Sequence, residues 1–102
     1  MSKRSKACDI PKEVRIEVYQ RDKCCIICGS HFAEPNAHLI SRAKGGLGIK
    51  ENVVTLCNLC HHEMDNGKNT IEVTQKVREY LERLYPEFTD EMRKYNKWRN
   101  EK

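Results

Sequence analysis

The chain has 102 residues, 38% of them apolar, and a mean hydropathy of −0.80, which reads as one small domain with a thin core and excludes a two-lobed enzyme with a cleft between domains. Nineteen basic against fifteen acidic side chains give +4; residues 1–50 hold ten basic and five acidic, residues 51–102 nine and ten, a bias that permits a nucleic-acid partner without requiring one. No apolar run approaches the ~20 residues that span a bilayer, and no hydrophobic stretch follows the basic start Met1–Lys6, so the expectation is a cytoplasmic protein that is neither secreted nor inserted in a membrane.

Residues 1–8 are basic and polar and read as a flexible tip. Asp9, Ile10 and Pro11 open a helix reaching about Arg21, with Asp9 as the candidate cap, Pro11 in the first turn, and Ile10, Val14 and Val18 as its apolar stripe. Residues 22–31 form a cysteine turn, and residues 36–40 read as a short strand. A flexible basic loop from Arg42 to Gly48 leads to a second strand, residues 52–56, rich in β-branched side chains. Residues 58–66 can then run as a helix that Gly67 ends in the left-handed conformation. Thr70 begins a longer helix with Val73, Val77, Tyr80 or Leu81, and Leu84 on one face, and Pro86 lies beyond it. Thr89 caps a last helix that carries Met92, Tyr95 and Trp98 at three-residue spacing, most simply as a packing face. The order strand, loop, strand, helix between flanking helices defines an α+β domain.

The cysteines supply what the core lacks. Cys25 and Cys28, and Cys57 and Cys60, are two C-x-x-C pairs with 28 residues between them. That spacing suits two knuckles closing on one tetrahedral Zn2+ rather than a redox pair or an iron site. A structural zinc of this kind contributes on the order of 10 kcal/mol of apparent folding free energy. Cys8 and Cys24 are spare; Cys24 could replace Cys25 as a ligand, at a poorer spacing.

Three histidines lie near the strand-loop-strand-helix unit: His38, His61 and His62. On a helix, His61 and Asp65 are one turn apart, so an imidazole and a carboxylate share a side and can hold a divalent cation in an open site. His62 points about 100° away around the helix and is the poorer alternative. His31 reads as a solvated turn residue. A polar helix surface is the plain alternative for the whole His61–Asp65 stretch.

Cys25-x-x-Cys28-Gly29, then Ala37-His38 followed by Arg42, Lys44, Gly45 and Gly46, then Asn52 and Cys57-x-x-Cys60-His61, resembles the four-cysteine HNH endonuclease family, whose core is a ββα-metal fold. The resemblance covers residues 20–67, with residues 70–101 as added C-terminal helices, and is closest to small bacteriophage-type members. It implies a DNA-cleaving hydrolase in which His38 is the general base, Asn52 braces the loop between the strands, and His61 and Asp65 hold Mg2+, Mn2+ or another divalent cation. It implies phosphate contacts from Arg42, Lys44, Gly45 and Gly46, and a phage terminase large subunit as a partner in the host cytoplasm. One departure is Ala37, where many members carry a further metal ligand. The contrasting reading is a catalytically silent zinc module that binds DNA or protein.

Overall fold

The computed structural model describes residues 3–95. The elements are α1 (Lys3–Cys8), α2 (Lys12–Asp22), β1 (Ala33–His38), β2 (Val53–Cys57), α3 (Asn58–Asn66) and α4 (Thr70–Leu84), with single 3-10 turns at Arg42–Lys44 and Glu91–Arg93. The strands pair antiparallel, Ala33 opposite Cys57 and His38 opposite Val53, and β2 runs directly into α3. The result is a small α+β domain built on a two-stranded hairpin followed by a helix.

All five residues of β2 are buried, which a half-exposed strand would not allow. Helices α2 and α3 both pack on it, and α4 packs on α3. The apolar face of α4, Val73, Val77 and Leu81, joins Val54, Leu56, Ile40 and Met64 in one core. That face falls at the three- and four-residue spacing expected from the sequence.

A charged cluster ties α2 to the rest. The carboxylate of Asp22 is fully buried and accepts hydrogen bonds from Arg21 Nε (2.6 Å), Tyr80 Oη (2.6 Å) and the Thr55 backbone N–H (2.8 Å). Arg21 also donates to the carbonyls of Lys50 (2.7 Å) and Val53 (2.8 Å). A buried carboxylate is tolerated only when its lone pairs are filled in this way. Burial and the hydrogen bond to Asp22 push the Tyr80 hydroxyl up to about 12.

Several expected boundaries move. Cys8 is buried and the Ala7 carbonyl accepts from Gly48 N–H, so the basic tip is held as α1 from Lys3 onward. Asp9 does not cap α2, which begins behind Pro11 with no side-chain cap; its carboxylate instead takes Arg42 at 2.6 Å. The first strand covers Ala33–His38 rather than residues 36–40, with an irregular register between Glu34 and Ala37 that accommodates Pro35. Gly67 is extended (φ −84°, ψ 176°) and not left-handed.

The Arg42–Gly48 segment is ordered by its hydrogen bonds. After Arg93 the chain turns back to this loop: Leu47 N–H donates to the Arg93 carbonyl (2.8 Å) and Tyr95 N–H to the Gly45 carbonyl (2.7 Å). That pairing replaces the expected last helix with the short turn Glu91–Arg93; the Thr89 hydroxyl does accept from Met92 N–H, at 3.3 Å. Arg93 is buried beneath this crossing and donates to the Glu51 carbonyl at 2.7 Å. Trp98 lies outside the described residues. No helix among the described residues is long and apolar enough to cross a membrane.

Candidate functional site

The four cysteines meet at one point. Gly29 adopts φ +81° and closes the first turn by donating its N–H to the Cys25 carbonyl (2.9 Å), and Ile26 N–H anchors that turn to the Thr55 carbonyl of β2. Cys57 ends β2 and is the N-cap of α3, its Sγ accepting from Cys60 N–H at 3.4 Å. The Sγ atoms of Cys25, Cys28, Cys57 and Cys60 all lie within 4.8 Å of one another, with Cys28 and Cys57 at 3.6 Å. A tetrahedral Zn2+ with bonds of about 2.3 Å holds its sulfurs about 3.8 Å apart, so the donor set and its size fit a structural zinc ion. Cys24 stands outside the cluster.

Electrostatics inside the cluster favour a dication. Burial opposes ionisation of Cys25, but the backbone N–H groups of Cys28, Cys57 and Ile27 outweigh it and bring that thiol down to about 7. Burial, with the neighbouring sulfurs of Cys57, Cys25 and Cys28, pushes Cys60 strongly up. Four thiolates repel one another until a divalent cation sits among them.

A separate open cleft, about 380 Å3, lies between the end of β1, the start of α2 and the side of α3. It is lined by Asp9, Ile10, Arg15, Asn36, His38, Ser41, Arg42, His61 and Asp65. His61 Nε2 is 3.3 Å from Asp65 Oδ2, one helical turn away, so these two donors share a side of α3. His38 Nε2 lies 3.0 Å from the Cys8 carbonyl oxygen. A carbonyl only accepts, so Nε2 carries the proton and Nδ1 of the neutral ring keeps its lone pair. Burial, with the charges of Arg42 and His61, lowers the His38 pKa below its usual 6.5, against the opposing effects of the Cys8 carbonyl and Asp65.

Asn52 is fully buried behind the cleft. Its Oδ1 accepts from Ile40 N–H (2.9 Å), and its Nδ2 donates to the carbonyls of Ile40 (3.2 Å) and Leu47 (2.9 Å). One side chain thus joins both ends of the loop that follows His38. Arg42 lines the cleft and donates to the Cys8 carbonyl (2.9 Å) and to Asp9. Lys44 lines a neighbouring hollow with His38 and Asp65.

Gly45 and Gly46 differ from the expectation of phosphate contacts. Both are buried, and their N–H groups donate to the carbonyls of Arg42 and Ser41. A Cβ on Gly46 would overlap the Ile40 carbonyl, so the close approach that this glycine permits is to the protein's own backbone. Ala37 is fully buried in the core and offers nothing to the cleft.

Sequence reasoning missed Asp9, Arg15 and Asn36 as cleft residues. Asn36 alone had a readable signal, since it stands two residues before His38 on one strand and strand alternation puts such a pair on one face. No known protein family, curated protein or solved structure matches this chain.

Proposed function

We propose that this protein is a metal-dependent endonuclease that hydrolyses DNA phosphodiester bonds by the chemistry of the four-cysteine HNH family. The observation that carries the reading is the convergence of His38, His61 and Asp65 on one cleft, with the His38 ring tied to Cys8 so that Nδ1 is free to accept a proton. The ion held by the four cysteines has a structural part, since it joins the first knuckle to the β2–α3 junction.

His38 acts as the general base. Its Nδ1 takes a proton from water, the water oxygen bonds to phosphorus, and the bond from phosphorus to the 3′ oxygen breaks with its electron pair; that oxygen takes a proton from solvent, leaving 5′-phosphate and 3′-hydroxyl ends. His61 and Asp65 would hold a Mg2+ or Mn2+ ion, which would supply charge neutralisation for the reacting phosphate. Asn52 keeps the loop after His38 in place. Arg42 binds a DNA phosphate in exchange for the Asp9 carboxylate, and Lys44 adds positive charge beside it.

The test is incubation of the zinc-loaded protein with supercoiled plasmid in Mg2+, in Mn2+ and in EDTA, beside His38→Ala. Nicking that requires both the cation and His38 supports the enzyme. DNA binding without cutting under every condition overturns it and leaves a zinc module that binds DNA.

A further inference from the structure

The partner that orients the His38 ring comes from outside the strand-loop-strand-helix unit. It is the carbonyl of Cys8, 3.0 Å from Nε2 and thirty positions earlier in the chain, at the junction between α1 and α2. Among the described residues α1 packs only lightly on the other helices and strands, so the place of this carbonyl depends on what holds the junction. The buried Cys8 side chain and the bonds from Arg42 contribute, and so does one backbone contact: Gly48 N–H donates to the Ala7 carbonyl at 3.0 Å.

Gly48 is buried and stands outside the lining of the cleft. Its φ is not positive, so its own backbone does not call for glycine; the lack of a side chain answers to a neighbour instead. A Cβ there would overlap the Asp9 carbonyl and come within 2.9 Å of Ile10 Cα. Of the two backbones that meet at this point, the loop is the more firmly held. Asn52 grips it on both sides of Gly48, its Nδ2 donating to the Leu47 carbonyl (2.9 Å) and its N–H to the Ile49 carbonyl (2.9 Å), and Leu47 N–H is bonded to the Arg93 carbonyl (2.8 Å). A side chain at position 48 would therefore displace the junction, and the Cys8 carbonyl with it.

We propose that Gly48 is a positioning residue for His38: by admitting the backbone of Asp9 and Ile10 it sets the Cys8 carbonyl against Nε2, so that the ring proton stays there and Nδ1 stays a bare acceptor. The catalytic consequence rests on the endonuclease reading, whereas the contact itself does not. Gly48 acts only through the ring. Without the carbonyl, the neutral imidazole shares its proton between both nitrogens and no longer keeps one orientation, so fewer molecules hold an aligned base.

The experiment records the ring-nitrogen NMR signals of the whole zinc-loaded chain, with isotope-labelled histidine and at a pH where the ring is neutral, and measures plasmid nicking on the same preparations. It compares the wild type, Gly48→Ala, Cys8→Phe and Val77→Ala, with His38→Ala to identify the signals of the His38 ring. Cys8→Phe attacks the same junction by a second route, since a phenyl ring exceeds the space of a thiol that is 2% exposed. In the wild type the two nitrogens should read as a protonated Nε2 and a bare Nδ1. In Gly48→Ala and Cys8→Phe the two signals should move towards each other, and kcat should fall roughly 10- to 100-fold with zinc content unchanged. Val77→Ala opens a cavity in the core away from the junction; it should lower Tm and keep the wild-type ring signals and kcat. Ring signals in Gly48→Ala that match the wild type overturn the assignment. So does loss of zinc from that variant, which would show Gly48 holding the whole domain, and so does a Val77→Ala that shifts the ring as much. Altered signals with an unchanged kcat overturn the catalytic part. If the wild type never nicks, the endonuclease reading fails, while the ring signals still decide whether Gly48 sets the contact.

Discussion

The carbonyl oxygen of Cys8 lies 3.0 Å from Nε2 of His38, and the same oxygen accepts from Arg42 at 2.9 Å. One backbone atom at the end of α1 therefore fixes the orientation of the proposed base and of one cation of the cleft, Arg42.

A pH dependence follows from the environment of His38. Burial holds its pKa below the ordinary 6.5, so the ring remains an unprotonated base at a pH where a free imidazole is half charged. The acid limb of the wild-type nicking rate should have its midpoint below pH 6.5. Stability carries the same sign: between the unfolded and the lower folded pKa the unfolded chain binds more protons, so stability declines as the pH drops through that window. A rate profile whose acid limb sits above 6.5 contradicts this placement of the ring.

His38→Ala should lower the nicking rate by about 10²- to 10⁴-fold, the usual contribution of general base catalysis. Its zinc content should match the wild type, because the ring ligates none of the four sulfurs' ion. Plasmid nicking and metal analysis on the same preparation check both.

Cys28→Ser and Cys57→Ser should lose zinc and much of the fold together. The apparent folding free energy of such an ion is on the order of 10 kcal/mol, more than a core of this size can replace. Thermal melting with metal analysis is the measurement, and a normal Tm with full zinc occupancy in either variant removes the scaffold assignment.

Asp65→Ala should leave melting unchanged, since its side chain is 56% exposed and pairs with His61 one turn away on the same helix. The Mg2+ or Mn2+ concentration needed for half-maximal nicking should rise by tenfold or more, about 1.4 kcal/mol of lost cation binding. An unshifted metal titration takes Asp65 out of the cleft's chemistry.

Asp22→Ala should destabilise the domain by about 3 kcal/mol, because the half-buried Arg21 is then left charged without its carboxylate. Tyr80→Phe removes one hydrogen bond to a charged group and should cost about 1.5–3 kcal/mol. Denaturant melts read both, and equal stability of Asp22→Ala and the wild type contradicts the cluster's role in holding α2 to β2.

The cysteine pairs and the second strand were legible because each has a strict local signal, ligand spacing and a β-branched run; the helix Asn58–Asn66 was placed by Gly67 at its end, although Gly67 proves extended and the cap is Cys57. The face of α4 was legible through its period. The first strand was expected to start three residues late and end two late because Pro35 argues against a strand, and only pairing with β2 shows that a bulge absorbs it. Helix α1 has no apolar period and exists through long-range contacts, Cys8 in the core and Ala7 against Gly48, that no local pattern announces. The same holds for the return of the chain to Gly45, which overrides the expected helix after Thr89. In the cleft, His38, His61 and Asp65 were found through motif spacing, whereas Asp9 and Arg15 arrive from elements distant in sequence and carry no signal.

The return of Arg93 and Tyr95 to Leu47 and Gly45 sets an order on biosynthesis. A ribosome delivers both cysteine pairs and all of α4 before the strap that closes the basic loop has emerged. The metal-binding half can thus consolidate on the nascent chain while the loop beside His38 is held by Asn52 and α1 alone. A message truncated after Asp90 would yield a polypeptide with every thiolate present and that loop unfastened.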